Sequence, residues 1–233
     1  MEKAYQNVSL FFVVILAFVV WGFFRTYFGL FPTFNGITTA QHFHGLLLLS
    51  WFAMLIVQPM LIRYKRYEMH RNLGKLSYIL VPLILISIFL VTKGQYLRMA
   101  HILPQPQNIG GLALNVPIIF AFGAFYMLAM VYKNNTPYHM RYMIATSLLL
   151  LGPGTGRAFI IYGGMSFHDG VFYSTVFTEL IAVGLIIYDL VKQRPYKPYV
   201  VTLIVFLVCH FIWQFQMAQW WQVIGGEFAE WFF

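Results

Sequence analysis

Residues 42–62 read HFHGLLLLSWFAMLIVQPMLI, and residues 63–75 read RYKRYEMHRNLGK. The first stretch holds no Asp, Glu, Lys or Arg and matches the roughly 20 residues that an α-helix needs to cross a hydrocarbon core about 30 Å thick. The second carries Arg63, Lys65, Arg66, Arg71 and Lys75, the kind of flank that the positive-inside rule places in the cytoplasm. Together they predict a membrane-spanning helix that ends on the inner side.

Outward from this pair, the same reasoning predicts spans near 9–31, 42–62, 74–93, 111–132, 141–163, 170–190 and 199–221. The expected architecture is all-α: one polytopic helical domain over residues 1–233 with about seven transmembrane helices. Lys133 with Arg141, and Lys192 with Arg194 and Lys197, fall in further inner connections, whereas the 163–170 turn has no basic residue. That alternation predicts an inner amino terminus and an outer carboxyl terminus. The first span follows Lys3, exceeds a signal-peptide core and lacks a small-residue cleavage site, so it is expected to stay and the chain to begin at Met1. The segment from Gly94 to Gly110, with Pro104 and Pro106, predicts an irregular external loop. The end of the chain, with Trp220, Trp221 and Trp231 beside Glu227 and Glu230, predicts a segment lying at the outer interface.

Composition agrees: 60% of the 233 residues are hydrophobic and 9% charged, too few polar groups to coat a water-soluble globule. Membrane lipids are the expected surroundings. The net charge of +8 sits in short connections rather than along a stripe, so no nucleic-acid partner is expected. Cys209 is the only cysteine, which excludes an intramolecular disulfide. The chain has no phosphate-cradling glycine motif, nucleophile elbow or paired metalloprotease histidines, and the common nucleotide and soluble-hydrolase chemistries are not expected.

Ionisable groups inside spans are costly and mark sites. Arg25, His42, His44, Arg157, Glu179, His210 and Gln214 fall in the outer halves of their spans, with His168 and Asp169 in the outer turn. His210, Trp213, Gln214, Met217 and Trp221 recur at helical spacing, so one face of the last span would line either a polar-aromatic pocket or a packed core. The spacing of His42 and His44 sends their rings to different faces, with His44 expected inward. The run Gly152-Pro153-Gly154-Thr155-Gly156 predicts a break or kink in the fifth span, beside Arg157. Arg157 and Glu179 would form either a structural ion pair or part of a ligand pocket with Trp213 and Gln214. His70 and His139 each precede a span, and sliding residues 44–80 onto 113–149 superimposes them. They would contact lipid headgroups or act as ligands.

The residues His44-Gly45, Gln58, Arg63, His70-Arg71-Asn72-Leu73-Gly74, His139-Met140-Arg141-Tyr142-Met143 and Arg157 resemble a family of uncharacterised bacterial multi-spanning membrane proteins, over roughly residues 42–160. The resemblance implies a helical membrane fold in a bacterial cytoplasmic membrane and no established activity. More distantly, the histidines at helix ends are similar to those of transmembrane di-haem cytochromes of the ascorbate-dependent type, although Ala113 stands where His44 would recur.

Three functional expectations follow. The first is a redox-related protein with haem b or a transition metal, and an electron donor as partner. His44 and His210 would ligate outside, His70 and His139 inside, and Arg25 and Arg157 would neutralise propionates. The second is a binding or transport module for an anionic or lipophilic small molecule at Arg157 and Glu179. The third is an intramembrane hydrolase whose zinc is held by His42, His44 and His210, with Glu179 or Asp169 activating water.

Overall fold

The computed structural model describes residues 6–233, so the expectations about Met1 and Lys3 lie outside the described residues. Nine α-helices follow one another, with no strand among the described residues: α1 (Val8–Phe23), α2 (Thr39–Arg63), α3 (Tyr67–Gly74), α4 (Ser77–Met99), α5 (Gln105–Val131), α6 (Thr136–Gly163), α7 (Phe167–Val191), α8 (Lys197–Gln214) and α9 (Gln219–Phe232). Six of the helical segments are long and apolar enough to cross a membrane, the short α3 running into α4 as one of them. The chain is therefore an all-helical bundle suited to a bilayer.

The first expected span is shorter than read from the sequence. α1 has 16 residues, about 24 Å at 1.5 Å per residue. It ends at Phe23, and the chain then turns through residues 24–38, where Gly29, Pro32 and Gly36 oppose a continued helix. A capping box restarts the chain as α2: the Gln41 amide N–H donates to Thr38 Oγ1 at 3.3 Å, and the Thr38 N–H donates to Gln41 Oε1 at 2.8 Å.

Two other boundaries moved for the same kind of reason. α4 continues to Met99 and α5 begins at Gln105, so the expected loop from Gly94 to Gly110 shrinks to residues 100–104. Pro106 lies in the first turn of α5, where proline removes no needed N–H and its fixed φ suits the helix. The last expected span, 199–221, divides at residues 215–218. Beyond the break, α9 folds back on α5: Trp221 Nε1 donates to the Ile109 carbonyl at 3.2 Å, and Lys93 Nζ of α4 donates to the Phe232 carbonyl at 2.9 Å.

α6 is the axis of the bundle. In its most apolar stretch 67% of residues are buried, against 22–33% in the other long helices, because α1, α5, α7 and α8 all pack on it. Of the break or kink expected at 152–156, the break does not occur: α6 runs unbroken through Pro153. The glycines there serve close approach. A Cβ on Gly154 would lie 2.7 Å from Val19 Cα, and one on Gly22 would run into the Gly154 carbonyl. Backbone contact of this kind lets helices associate by dispersion where no hydrophobic drive separates them from lipid.

A prediction follows from this contact. Gly154→Ala should destabilise the protein by about 1–3 kcal/mol through overpacking, whereas Gly152→Ala, where an added Cβ meets nothing within 4 Å, should be neutral. Thermal unfolding of both variants in lipid nanodiscs measures the difference.

Candidate functional site

Charges stand at three places within the spans, and their surroundings differ: Arg141 with Asp189 is fully buried, Glu179 is partly buried, and Arg157 is exposed along a cavity. Near the end of the bundle that the charge pattern places inside, Arg141 of α6 donates from Nε to Asp189 Oδ2 at 2.6 Å and from Nη2 to Oδ1 at 2.9 Å. Its Nη1 donates to the Pro137 carbonyl at 2.9 Å, and its guanidinium lies 5.8 Å from the Tyr199 ring centroid. Both side chains are fully buried. This bidentate pair ties α6, α7 and α8 together. The sequence reading took Arg141 for a cytoplasmic flank and passed over Asp189, although an aspartate in the last turn of an apolar span was itself a signal.

The second charge is Glu179 of α7. It does not meet Arg157. Its Oε1 lies 2.9 Å from His210 Nδ1, and Gln214 Nε2 lies 3.1 Å from His210 Nε2. A carboxylate only accepts, so the Nδ1–H donates to it and Nε2 accepts from the Gln214 amide. The expected ion pair between Arg157 and Glu179 is thus replaced by a hydrogen-bonded chain within α7 and α8.

The third charge, Arg157 of α6, meets no carboxylate among the described residues. Its guanidinium sits 4.2 Å from the Phe23 ring centroid, and Nη1 donates to the Pro153 carbonyl at 3.2 Å. The ring offers a cation–π contact in place of an anion. Protein surrounds the side chain, yet its surface is accessible. The two agree because Arg157 faces a partly open cavity of about 390 Å³ between α4, α5, α6, α7 and α8. His210, Trp213, Thr26, Gln95 and Asn115 are also in its lining, and Asn115 Nδ2 donates to Gln95 Oε1 at 3.3 Å. Trp213 is 4% exposed and its Nε1–H has no partner among the described residues, an unusual state for a buried donor.

Sequence reasoning located Arg157, His210 and Trp213 but missed Gln95 and Asn115. Gln95 was assigned to the external loop that proved to be helix. Asn115, a lone amide within an apolar span, carried the only legible signal.

The other candidates scatter. His44 Nδ1 lies 3.0 Å from Ser87 Oγ, whose hydroxyl donates to the Ile84 carbonyl at 2.7 Å, so Nδ1 carries the proton and Nε2 is left open. His44 remains within electrostatic reach of Arg157. His42 turns the other way, with Nδ1 2.8 Å from the Tyr27 hydroxyl. Arg25 is exposed in the turn after α1 and lines no part of the cavity, so it does not join Arg157. Ser166 caps α7, its hydroxyl donating to Asp169 Oδ2 at 2.7 Å and accepting from the Asp169 N–H at 3.1 Å, so Asp169 is engaged at the helix start, and His168 stacks on the Trp213 ring. No group of three or more His, Cys, Asp or Glu side chains placed to hold a metal occurs among the described residues. His42, His44, His210 and Glu179 therefore form no zinc site: His42 goes to Tyr27 and His44 to Ser87, and only His210 and Glu179 meet.

At the end of the bundle that the charge pattern places inside, His70 and His139 do come within electrostatic reach of one another. The Gln58 amide nitrogen donates to His70 Nδ1 and, at 3.2 Å, to the His70 carbonyl, while its oxygen accepts from the Gly74 N–H at 3.0 Å. His139 Nδ1 donates to the Ala129 carbonyl at 2.8 Å, which leaves its Nε2 open.

Comparison of the chain with protein-family models, with curated proteins and with solved structures returned no match in any of the three. The residues of the site thus carry the functional argument by themselves.

Removing one partner of a buried ion pair strands the other charge at a cost of about 3–5 kcal/mol. Asp189→Leu should accordingly lower the thermal midpoint steeply, and the double variant Arg141→Leu/Asp189→Leu should recover much of the loss. A double-mutant cycle in nanodiscs reads both values.

Proposed function

We propose that this chain is a membrane-embedded binding or transport module for an anionic small molecule, held in the outer cavity by Arg157. One observation carries the reading: a guanidinium at membrane depth, without a carboxylate among the described residues, lines a cavity of about 390 Å³. A charge at membrane depth without a countercharge is expensive, and such a residue marks a place where a ligand can supply the countercharge. Only Nη1 of the fork has a hydrogen-bond acceptor, so most of its five N–H donors remain for a planar anion. The Gln95 and Asn115 amides provide orienting contacts, and the rest of the wall is chiefly apolar, the usual composition of a small-molecule site.

The test is a panel of carboxylates and phosphates added to protein in nanodiscs, read by thermal shift and calorimetry. At least one anion should stabilise the wild type. Arg157→Gln should weaken its binding by roughly 30-fold or more, equivalent to the ~2 kcal/mol lower bound for removing one partner of a buried charged pair. If no anion in the panel stabilises the protein, the reading is wrong.

The proposal includes seven crossings, with α1 as the first, an inner amino terminus and an outer carboxyl terminus. It rests on the basic connections at residues 63–75, at 133–141 and at 192–197. In a Cys209→Ser background, a membrane-impermeant thiol reagent should label a cysteine placed at exposed His101 from outside, and one placed at exposed Tyr67 only after permeabilisation.

A second reading, a redox protein holding haem b, has one observation in its favour: His70 and His139 approach each other at the inner end, each with Nδ1 fixed by a partner. His139 offers an open Nε2, but His70 accepts at Nδ1 and so carries its proton on Nε2, where a ligand needs a lone pair. At the outer end both ring nitrogens of His210 are engaged. A reduced-minus-oxidised spectrum of protein purified from haem-replete cells should therefore lack the α-band of a b-type haem; a band lost in His139→Ala would reverse the preference.

A further inference from the structure

A second void lies on the outer flank of the bundle. It is a groove of about 530 Å³ between α5, α8 and α9, with apolar walls. Phe120, Ile204, Val208 and Ile224 line it and are exposed, so in a bilayer it opens to acyl chains rather than to water. Groove and polar cavity lie on opposite faces of the same two helices. On α5, Val116 and Pro117 face the groove while Ala113, Asn115 and Ile118 face the cavity; on α8, Val208 and Ile212 face the groove while His210 and Trp213 face the cavity. One side chain, Cys209, borders both. It is partly buried and small, and it stands where α8 separates the two spaces.

We propose that the ligand is an anionic amphiphile drawn from the membrane, its head in the Arg157 cavity and its single acyl chain leaving past Cys209 into the α5/α8/α9 groove. This deepens the anion-binding reading and rests on it. The two compartments divide the chemistry of such a molecule. Beside Cys209 on one side is a space with a guanidinium that lacks a countercharge, two amides and Trp213, whose Nε1–H is unpartnered. On the other side is a space without a polar side chain directed to a headgroup. Carboxylate and phosphate heads share the required chemistry, since either accepts two parallel N–H bonds from the arginine fork. A chain in the groove exchanges one apolar environment for another, so its contribution comes from packing against fixed side chains rather than from escape from water.

The experiment compares hexanoate, palmitate, palmitoyl lysophosphatidate and inorganic phosphate on full-length protein in phosphatidylcholine nanodiscs, at matched concentrations within the bilayer for the lipids. Palmitate should bind roughly tenfold tighter than hexanoate, or lysophosphatidate roughly tenfold tighter than phosphate, from added packing alone, and which pair binds identifies the head. Val208→Phe and Ile224→Phe fill the groove from exposed positions, so folding should survive, as circular dichroism checks. Each should abolish the chain-length advantage and leave binding of the short anion, hexanoate or phosphate, unchanged, whereas Arg157→Gln should weaken every anion that binds. Equal binding of the short and long members of the pair that binds, or a chain-length advantage that survives both groove variants, overturns the amphiphile and leaves the anion site standing. A dimer by light scattering that either groove variant dissociates assigns the groove to a second copy and also overturns it. Failure of every anion, phosphate included, instead removes the reading beneath.

Discussion

A charge inside a bilayer cannot be left to water, so each one must be met by protein or by something the protein binds. This constraint organises the structure. Arg141 is met by Asp189 in a bidentate pair with no exposed surface, and three helices are held at one end as a result. Glu179 is met by His210, which Gln214 holds from the other side. Arg157 is met by an aromatic ring, one carbonyl and a cavity. The first two arrangements are complete in themselves, whereas the third leaves the guanidinium without a carboxylate among the described residues.

The cavity and the helix packing have a common origin in α6. Gly154 lets α1 approach until backbones touch, and Gly156 likewise seats the α6 backbone against Ser174 of α7, where a Cβ would lie 3.2 Å from the hydroxyl. Gly152 and Gly156 also border the cavity, where the missing side chains are space. A single glycine-rich turn thus brings neighbouring helices close on two sides and leaves room on a third. Pro153 contributes the carbonyl that anchors Arg157, so the same turn both opens the site and aims its charge.

Much of the architecture was legible because lipid is a uniform solvent. Long apolar stretches ending in Arg or Lys declare helices irrespective of what they pack on, and all six long spans lie where composition placed them. Their ends were less legible. α1 stops at Phe23 although apolar residues continue, since Gly29, Pro32 and Gly36 act on the backbone and not on hydropathy. Pro104 and Pro106 read as a loop, yet the first turn of α5 accommodates them without loss of a hydrogen bond. The glycine run at 152–156 read as a break or kink for a similar reason: composition does not distinguish a glycine that interrupts a helix from one that admits a neighbour.

For the site, the sequence by itself determined which groups would be costly: Arg157, Glu179 and His210 were identifiable as ionisable or polar side chains in apolar spans. It also determined that His42 and His44 diverge, because their spacing on one helix decides that locally. Only the tertiary structure decided the partners. Glu179 could have met Arg157 or His210, and the packing of α7 on α8 chose His210. Gln95 entered the cavity because α4 ran on past Gly94, and Asp189 became the counterion of Arg141 across 48 residues of chain. Composition and helical period act within one segment, whereas a countercharge, a shared cavity or a missing partner is a relation between segments, fixed only when the helices have packed.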